Sequence, residues 1–213
     1  MDAAVGLVRA YLQANGYFTI TEFPILEQLE EGGYRTVTDI DVMAMRLPGA
    51  GRIVPHESRS AADEPTLFKP DPLLIDDDDD HLTDLIIGEV KHGKAELNAG
   101  ARRETTLVSA IRRFAFVTPE RAEHICRKLS KTGRVTLDEE QVRIRLFAFG
   151  GRYGDRSNRY KTILHRQCIK YLVSIGREFD QLTRAASFSD PALDMLLLLG
   201  HAGFIKKIKD VPD

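Results

Sequence analysis

Apolar residues Val5, Val8, Tyr11 and Leu12 recur at helical spacing and Gly16 follows them, so residues 3–15 are predicted as a helix with a glycine stop. The period then changes. Stretches rich in Val, Ile, Thr and aromatic residues at 17–25 and 36–46 read as two strands, with Gly32 and Gly33 marking the turn before the second. A third strand is predicted over 82–91, where the run Leu85-Ile86-Ile87 leads into Gly88-Glu89-Val90-Lys91. Helical stretches follow at 101–114 and 118–133, the latter with Thr118 as N-cap and Pro119 in its first turn. Val142, Ile144, Leu146 and Ala148 alternate with Arg143, Arg145, Phe147 and Phe149, which predicts a fourth strand. The glycine- and arginine-rich stretch 150–160 reads as a loop. A long helix over 162–186 is predicted from Leu164, Cys168, Tyr171, Leu172, Ile175, Phe179 and Leu182, and Ser189-Asp190-Pro191 opens a last short helix. This order predicts an α/β fold with a small mixed central sheet flanked by helices, and a C-terminal helical extension over 162–205 packing on the core.

The chain has 213 residues, 43% of them hydrophobic, which supports one domain over 1–213 with its own core. Cys126 and Cys168 stand in helical stretches with no CxxC or Cys/His cluster around them, so both are expected as buried thiols in a reducing compartment. The N-terminus lacks a signal-peptide pattern and no apolar run approaches a membrane span, which leads us to expect a cytoplasmic protein without a membrane partner.

A formal net charge of −2 argues against a polyanionic partner until the charge is mapped. Residues 48–80 hold nine acidic against three basic residues and five of the nine prolines, the pattern of a long acidic insertion loop. Residues 91–177 hold 20 Lys and Arg against eight Asp and Glu. Such a basic half attracts phosphates whatever the total charge.

Asp39 and Asp41 share one face of the second predicted strand, and Glu89 and Lys91 share one face of the third, because strand side chains alternate with period two. If the two strands pair, carboxylates from both meet at one edge beside a lysine. Two carboxylates and a backbone carbonyl suit Mg²⁺, which takes hard oxygen ligands and keeps waters. A metal there activates water and neutralises phosphoryl charge, while a lysine adds positive charge near the nucleophile. The triplet Glu89-Val90-Lys91 is short enough to arise by chance. Its weight lies in its context, at the end of an apolar strand, after an alternating Asp pair and before a basic helix.

These residues, Thr38-Asp39-Ile40-Asp41-Val42 and Ile87-Gly88-Glu89-Val90-Lys91, resemble the motif of the PD-(D/E)XK (restriction endonuclease-like) nuclease superfamily, and the resemblance covers roughly residues 1–149. It implies that Asp41 and Glu89 bind Mg²⁺ or Mn²⁺ with help from the Val90 carbonyl, and that Lys91 orients or activates the attacking water. The implied activity is that of a hydrolase, an endonuclease or exonuclease cutting phosphodiester bonds, with DNA ahead of RNA. The sequence departs from the family pattern in two places. Ile40 rather than a proline precedes Asp41, and the literal Pro70-Asp71 pair is a rival, disfavoured because Pro70 and Pro72 remove strand hydrogen-bond donors. The first helix has no glutamate; Glu22 on the first strand, like Asp39, is a possible additional ligand.

Lys94, Arg102, Arg103, Arg112 and Arg113 after the motif, and Arg152, Arg156 and Arg159 beside Tyr153 and Tyr160, are candidates for gripping nucleic acid through phosphate contacts and stacking. His165 and Cys168 read as a surface histidine beside a core thiol. Asp76–Asp80 lacks the spaced ligands and glycine of a calcium loop. A catalytically inactive module of the same fold, binding nucleic acid or assembling a complex, is the alternative, and a homodimer or larger complex is compatible with either.

Overall fold

The computed structural model describes residues 2–50, 70–74, 81–154, 159–178 and 190–204. Most of the acidic insertion, 51–69 and 75–80, and Arg156 lie outside them.

The first helix, α1 (Ala3–Ala14), starts because the Asp2 carboxylate accepts from the Ala4 N–H at 2.7 Å, and Asn15 closes it immediately before Gly16. The chain then makes three antiparallel strands, β1 (Phe18–Gln28), β2 (Tyr34–Arg46) and β3 (Thr83–Ala95). Two helices, α2 (Glu104–Arg113) and α3 (Pro119–Thr132), carry it over one face of the sheet. Thr118 caps α3 with its hydroxyl, as its sequence predicts. The short β4 (Arg134–Leu137) turns antiparallel into β5 (Val142–Tyr153), which lies parallel to β3. The last elements are β6 (Lys161–Leu164), α4 (His165–Glu178) and α5 (Pro191–His201).

The result is a mixed six-stranded sheet in the order β1-β2-β3-β5-β4, with β6 also on β5. Two apolar layers cover its faces. One joins α1, α4 and α5 to Val42, Ile86, Val90, Phe147 and Phe149; the other joins α2 and α3 to Met43, Leu85, Ile87, Ile144 and Leu146. Side-chain alternation along β3 therefore sends Leu85, Ile87 and Glu89 to the α2–α3 face, and Asp84, Ile86 and Val90 to the α1 face. Among the described residues, no helix is long and apolar enough to cross a membrane.

Three expectations need correction. The predicted helix at 162 begins as strand, because the backbone of β6 pairs with Phe147–Gly150 before α4 starts at His165; residues 179–189 are outside the described set. The stretch from Gly150 is not loop at its start. It continues β5 to Tyr153, and its glycines serve close approach: a Cβ on Gly150 would lie 2.7 Å from the Ala95 N. The four residues of β4 are too few for alternation to reveal them. The helix expected from 101 starts only at Glu104, which leaves Arg102 and Arg103 on the preceding turn.

Gly88 pairs with Val42 at the last rung of the β2–β3 ladder. A Cβ there would meet Val42 Cγ1 at 2.7 Å and the Phe149 ring at 3.2 Å, both in fully buried side chains. Gly88→Ala is expected to cost about 1–3 kcal/mol through overpacking, read by urea unfolding; unchanged stability would mean that Val42 moves freely.

Candidate active site

Beyond the Val42–Gly88 rung, β2 and β3 no longer pair, and Asp41 and Glu89 face each other across the point where they part. The Val90 N–H, which the ladder would otherwise use, donates instead to Asp41 Oδ2 at 2.7 Å. That bond fixes the Asp41 carboxylate to the backbone of β3. Glu89 follows Leu85 and Ile87 onto the α2–α3 face, where it is buried at 1% exposure. Its Oε1 accepts from Lys91 Nζ and from the Asn98 amide. Lys91 Nζ also lies 3.8 Å from Asp41 Oδ2, so one ammonium bridges both carboxylates.

Burial pushes the Glu89 carboxyl above the usual glutamate range, and repulsion from Asp41 adds to this against the opposing effect of Lys91. Burial likewise raises Asp41, although the Val90 N–H and Lys91 counter it. Both groups would gain from a cation. Glu89 Oε2 is buried and has no hydrogen-bond partner among the described residues. An ionised oxygen in that state is costly unless something positive meets it. The Asp41 and Glu89 carboxylates are hard-oxygen donors of the kind Mg²⁺ or Mn²⁺ takes, so the residues present fit such an ion. Among the described residues, no group of three or more His, Cys, Asp or Glu has metal-ligand geometry.

The other expected residues divide. Glu22 occupies the register position opposite Asp41, between the pairs Thr21–Val42 and Phe23–Ile40, and adopts φ 53°. A left-handed glutamate inside a strand is a strained backbone next to the carboxylates. Asp39 is exposed opposite Pro24, and among the described residues no hydrogen bond or ion pair joins it to Glu89 or Lys91. The rival Asp71 lies elsewhere: it accepts from Tyr11 Oη at 2.9 Å and its N–H donates to Asn15 Oδ1 at 2.7 Å, pinning the end of the insertion to α1.

Lys94 is paired with Glu96 at 3.8 Å and stands in register with the exposed Arg152 beyond the site. Arg102, Arg103, Arg112 and Arg113 are exposed around α2. Arg159 instead packs its backbone near Gly133, at the end of α3. Cys126 and Cys168 are free and buried, but His165 is half-buried rather than on the surface, with its Nε2 unpaired among the described residues.

Two participants escaped sequence reasoning. Asn98 holds Glu89 from the turn before α2, and Asp2 binds His92 Nε2 at 2.8 Å next to Lys91. Neither belongs to a recognisable motif; the turn after β3 folds Asn98 back onto Glu89, nine residues earlier, and the start of α1 brings Asp2 to His92. No family model, curated protein or solved structure matches the chain, so its function has to be read from these residues.

Proposed function

We propose that this protein is a divalent-metal-dependent nuclease of the PD-(D/E)XK type, hydrolysing phosphodiester bonds in DNA ahead of RNA. The observation that carries the reading is the convergence of Asp41, Glu89, Lys91 and the Val90 backbone where β2 and β3 separate, with Glu89 Oε2 buried and unpaired among the described residues. The succession of α1, β1–β3, helix and parallel β5 supports a restriction endonuclease-like core.

Asp41, Glu89 and the Val90 carbonyl would hold Mg²⁺ or Mn²⁺, which when bound withdraws charge from the phosphoryl oxygens and makes water a better nucleophile. The remaining work falls to the chain. The Val90 N–H and Asn98 keep the two carboxylates in place before substrate arrives, so little reorganisation is needed at the moment of reaction. Lys91 directs the attacking water toward phosphorus and offsets the negative charge that grows there. A new P–O bond to the water oxygen forms, the ester P–O bond breaks, and the departing alkoxide takes a proton.

Purified protein is expected to cut DNA with Mg²⁺ or Mn²⁺ and to stop in EDTA. Lys91→Met is expected to lower the rate about 10²–10³-fold while metal binding, followed by calorimetry, persists. Failure to cut single-stranded or duplex DNA or RNA with either metal would sink the catalytic reading. The inactive nucleic-acid-binding module is favoured by one feature, the lack of any acidic residue along α1. No metal binding at millimolar concentration, with salt-sensitive DNA binding retained, would decide for it.

A further inference from the structure

A groove of about 410 Å³ runs between β1 and α2, lined by Phe23, Pro24, Ile25, Leu26, Arg112 and Arg113 with Ser109. It lies on the α2–α3 side of the sheet, where Phe23 packs on the same apolar layer as Leu85 and Ile87. Phe23 follows Glu22, which stands opposite Asp41 in register, so the groove begins on the strand that borders the candidate site. It then follows β1 for three further residues, roughly 10 Å.

Its chemistry is divided. The floor is apolar, with Leu26 59% exposed, and the wall carries the Arg113 guanidinium 5.2 Å from the Phe23 ring centroid, with Arg112 beside it. Arg113 lies over the Phe23 ring, while the charge of Arg112 is also felt by Glu120. An apolar floor with a planar cation along it matches a nucleotide whose base is out of a helical stack, since the base covers apolar surface and stacks on guanidinium while its phosphate meets the charge. A duplex would present phosphates only and leave the floor uncovered.

We infer that the β1–α2 groove is a subsite for a single-stranded segment of nucleic acid running up to the Asp41–Glu89 centre, with Phe23 and Arg113 as its stacking pair. This deepens the nuclease reading by naming the form of substrate, and it rests on that reading only for what happens to the strand once bound.

The test is equilibrium binding in EDTA, where cutting is blocked, of a fluorescent single-stranded oligothymidylate and of a duplex of equal length. Wild type is expected to prefer the single strand. Phe23→Ala and Arg113→Ala are each expected to weaken single-strand binding about 5- to 150-fold, the effect of losing one base stack, and to change duplex binding less than about twofold on the same scale. Arg113→Lys keeps the charge but not the plane and should restore only the salt-dependent part. Because Phe23 is partly buried, the exposed Arg113 provides a variant that tests the groove without disturbing the core. Unchanged single-strand affinity in Arg113→Ala, equal losses on duplex, or a concentration-dependent dimer that Phe23→Ala dissolves would each overturn the subsite. If the wild type binds single strands through these residues yet never cuts, the subsite stands and catalysis fails; if it cuts but ignores both substitutions, the reverse holds.

Discussion

Glu89→Gln should abolish metal-dependent cleavage, a fall of at least about 10²–10³-fold, while leaving the protein as stable as wild type or more so at neutral pH. The two outcomes share one cause. Glu89 is buried at 1% exposure, its Oε2 has no partner among the described residues, and its carboxyl is held above the usual glutamate range by burial first. A group whose folded pKa is raised contributes stability that is fully present below its unfolded pKa and lost as pH climbs through the folded one. At neutral pH the buried carboxyl therefore costs stability, and a neutral amide of the same shape removes that cost, by about 0.5–2 kcal/mol. The gain should shrink toward pH 4, where wild type is itself protonated. Urea unfolding at pH 4, 5.5 and 7.5 measures it. Mg²⁺ or Mn²⁺ should raise the thermal midpoint of wild type and not of the variant. A variant less stable than wild type at pH 7.5, or one that still cuts, would contradict a carboxylate kept for function at the expense of stability.

Asp84→Asn should produce the largest loss of stability, about 3–5 kcal/mol, a drop in Tm of roughly 6–20 °C for a chain of this size. Asp84 is 2% exposed on the α1 side of β3. Arg143 Nε and Arg145 Nε both donate to its Oδ1, at 2.8 and 2.9 Å, while Arg145 Nη2 and Tyr17 Oη donate to its Oδ2. Arg145 Nη1 also donates to the Leu74 carbonyl at 2.7 Å, tying the end of the insertion to the sheet. Asparagine keeps the shape but removes the buried negative charge that the Arg143 and Arg145 guanidinium groups share. Removing the whole network, with Asp84→Leu, Arg143→Met and Arg145→Met together, should recover much of the loss, because a buried ion cluster gains little over apolar packing. Circular dichroism melts of both variants check this pair of results. A loss below about 1 kcal/mol in Asp84→Asn would mean that water reaches the arginines.

Asp84 and Glu89 show where sequence reading reaches its limit. Both are acids in one predicted strand, and their five-residue separation puts them on opposite faces: one holds the fold together and the other faces Asp41 and Lys91. Alternation along β5 made Arg143 and Arg145 look like a polar face. The structure buries them, because Asp84 on the neighbouring strand supplies their charge, and arginine enters a core only when its partner enters with it. The long helix expected from residue 162 failed for a similar reason. Its first residues have an apolar spacing that suits strand or helix, and pairing with β5 chose strand.

Local pattern alone was enough to determine most of the main elements, the capped start of α3, and the placing of Asp41 on one strand and of Glu89 and Lys91 on another, because periodicity, capping and motif spacing are short-range properties of the chain. Tertiary structure decided the rest. It settled that Asp41 rather than Asp71 stands by Glu89, since Asp71 is held by Tyr11 and Asn15. It also brought Asn98 onto Glu89, set Glu22 across from Asp41, and opened the groove between Phe23 and Arg113. All but the Asn98–Glu89 contact join residues on separate elements, and the free energy that places them comes from burying both faces of one sheet, which no local window of the sequence contains.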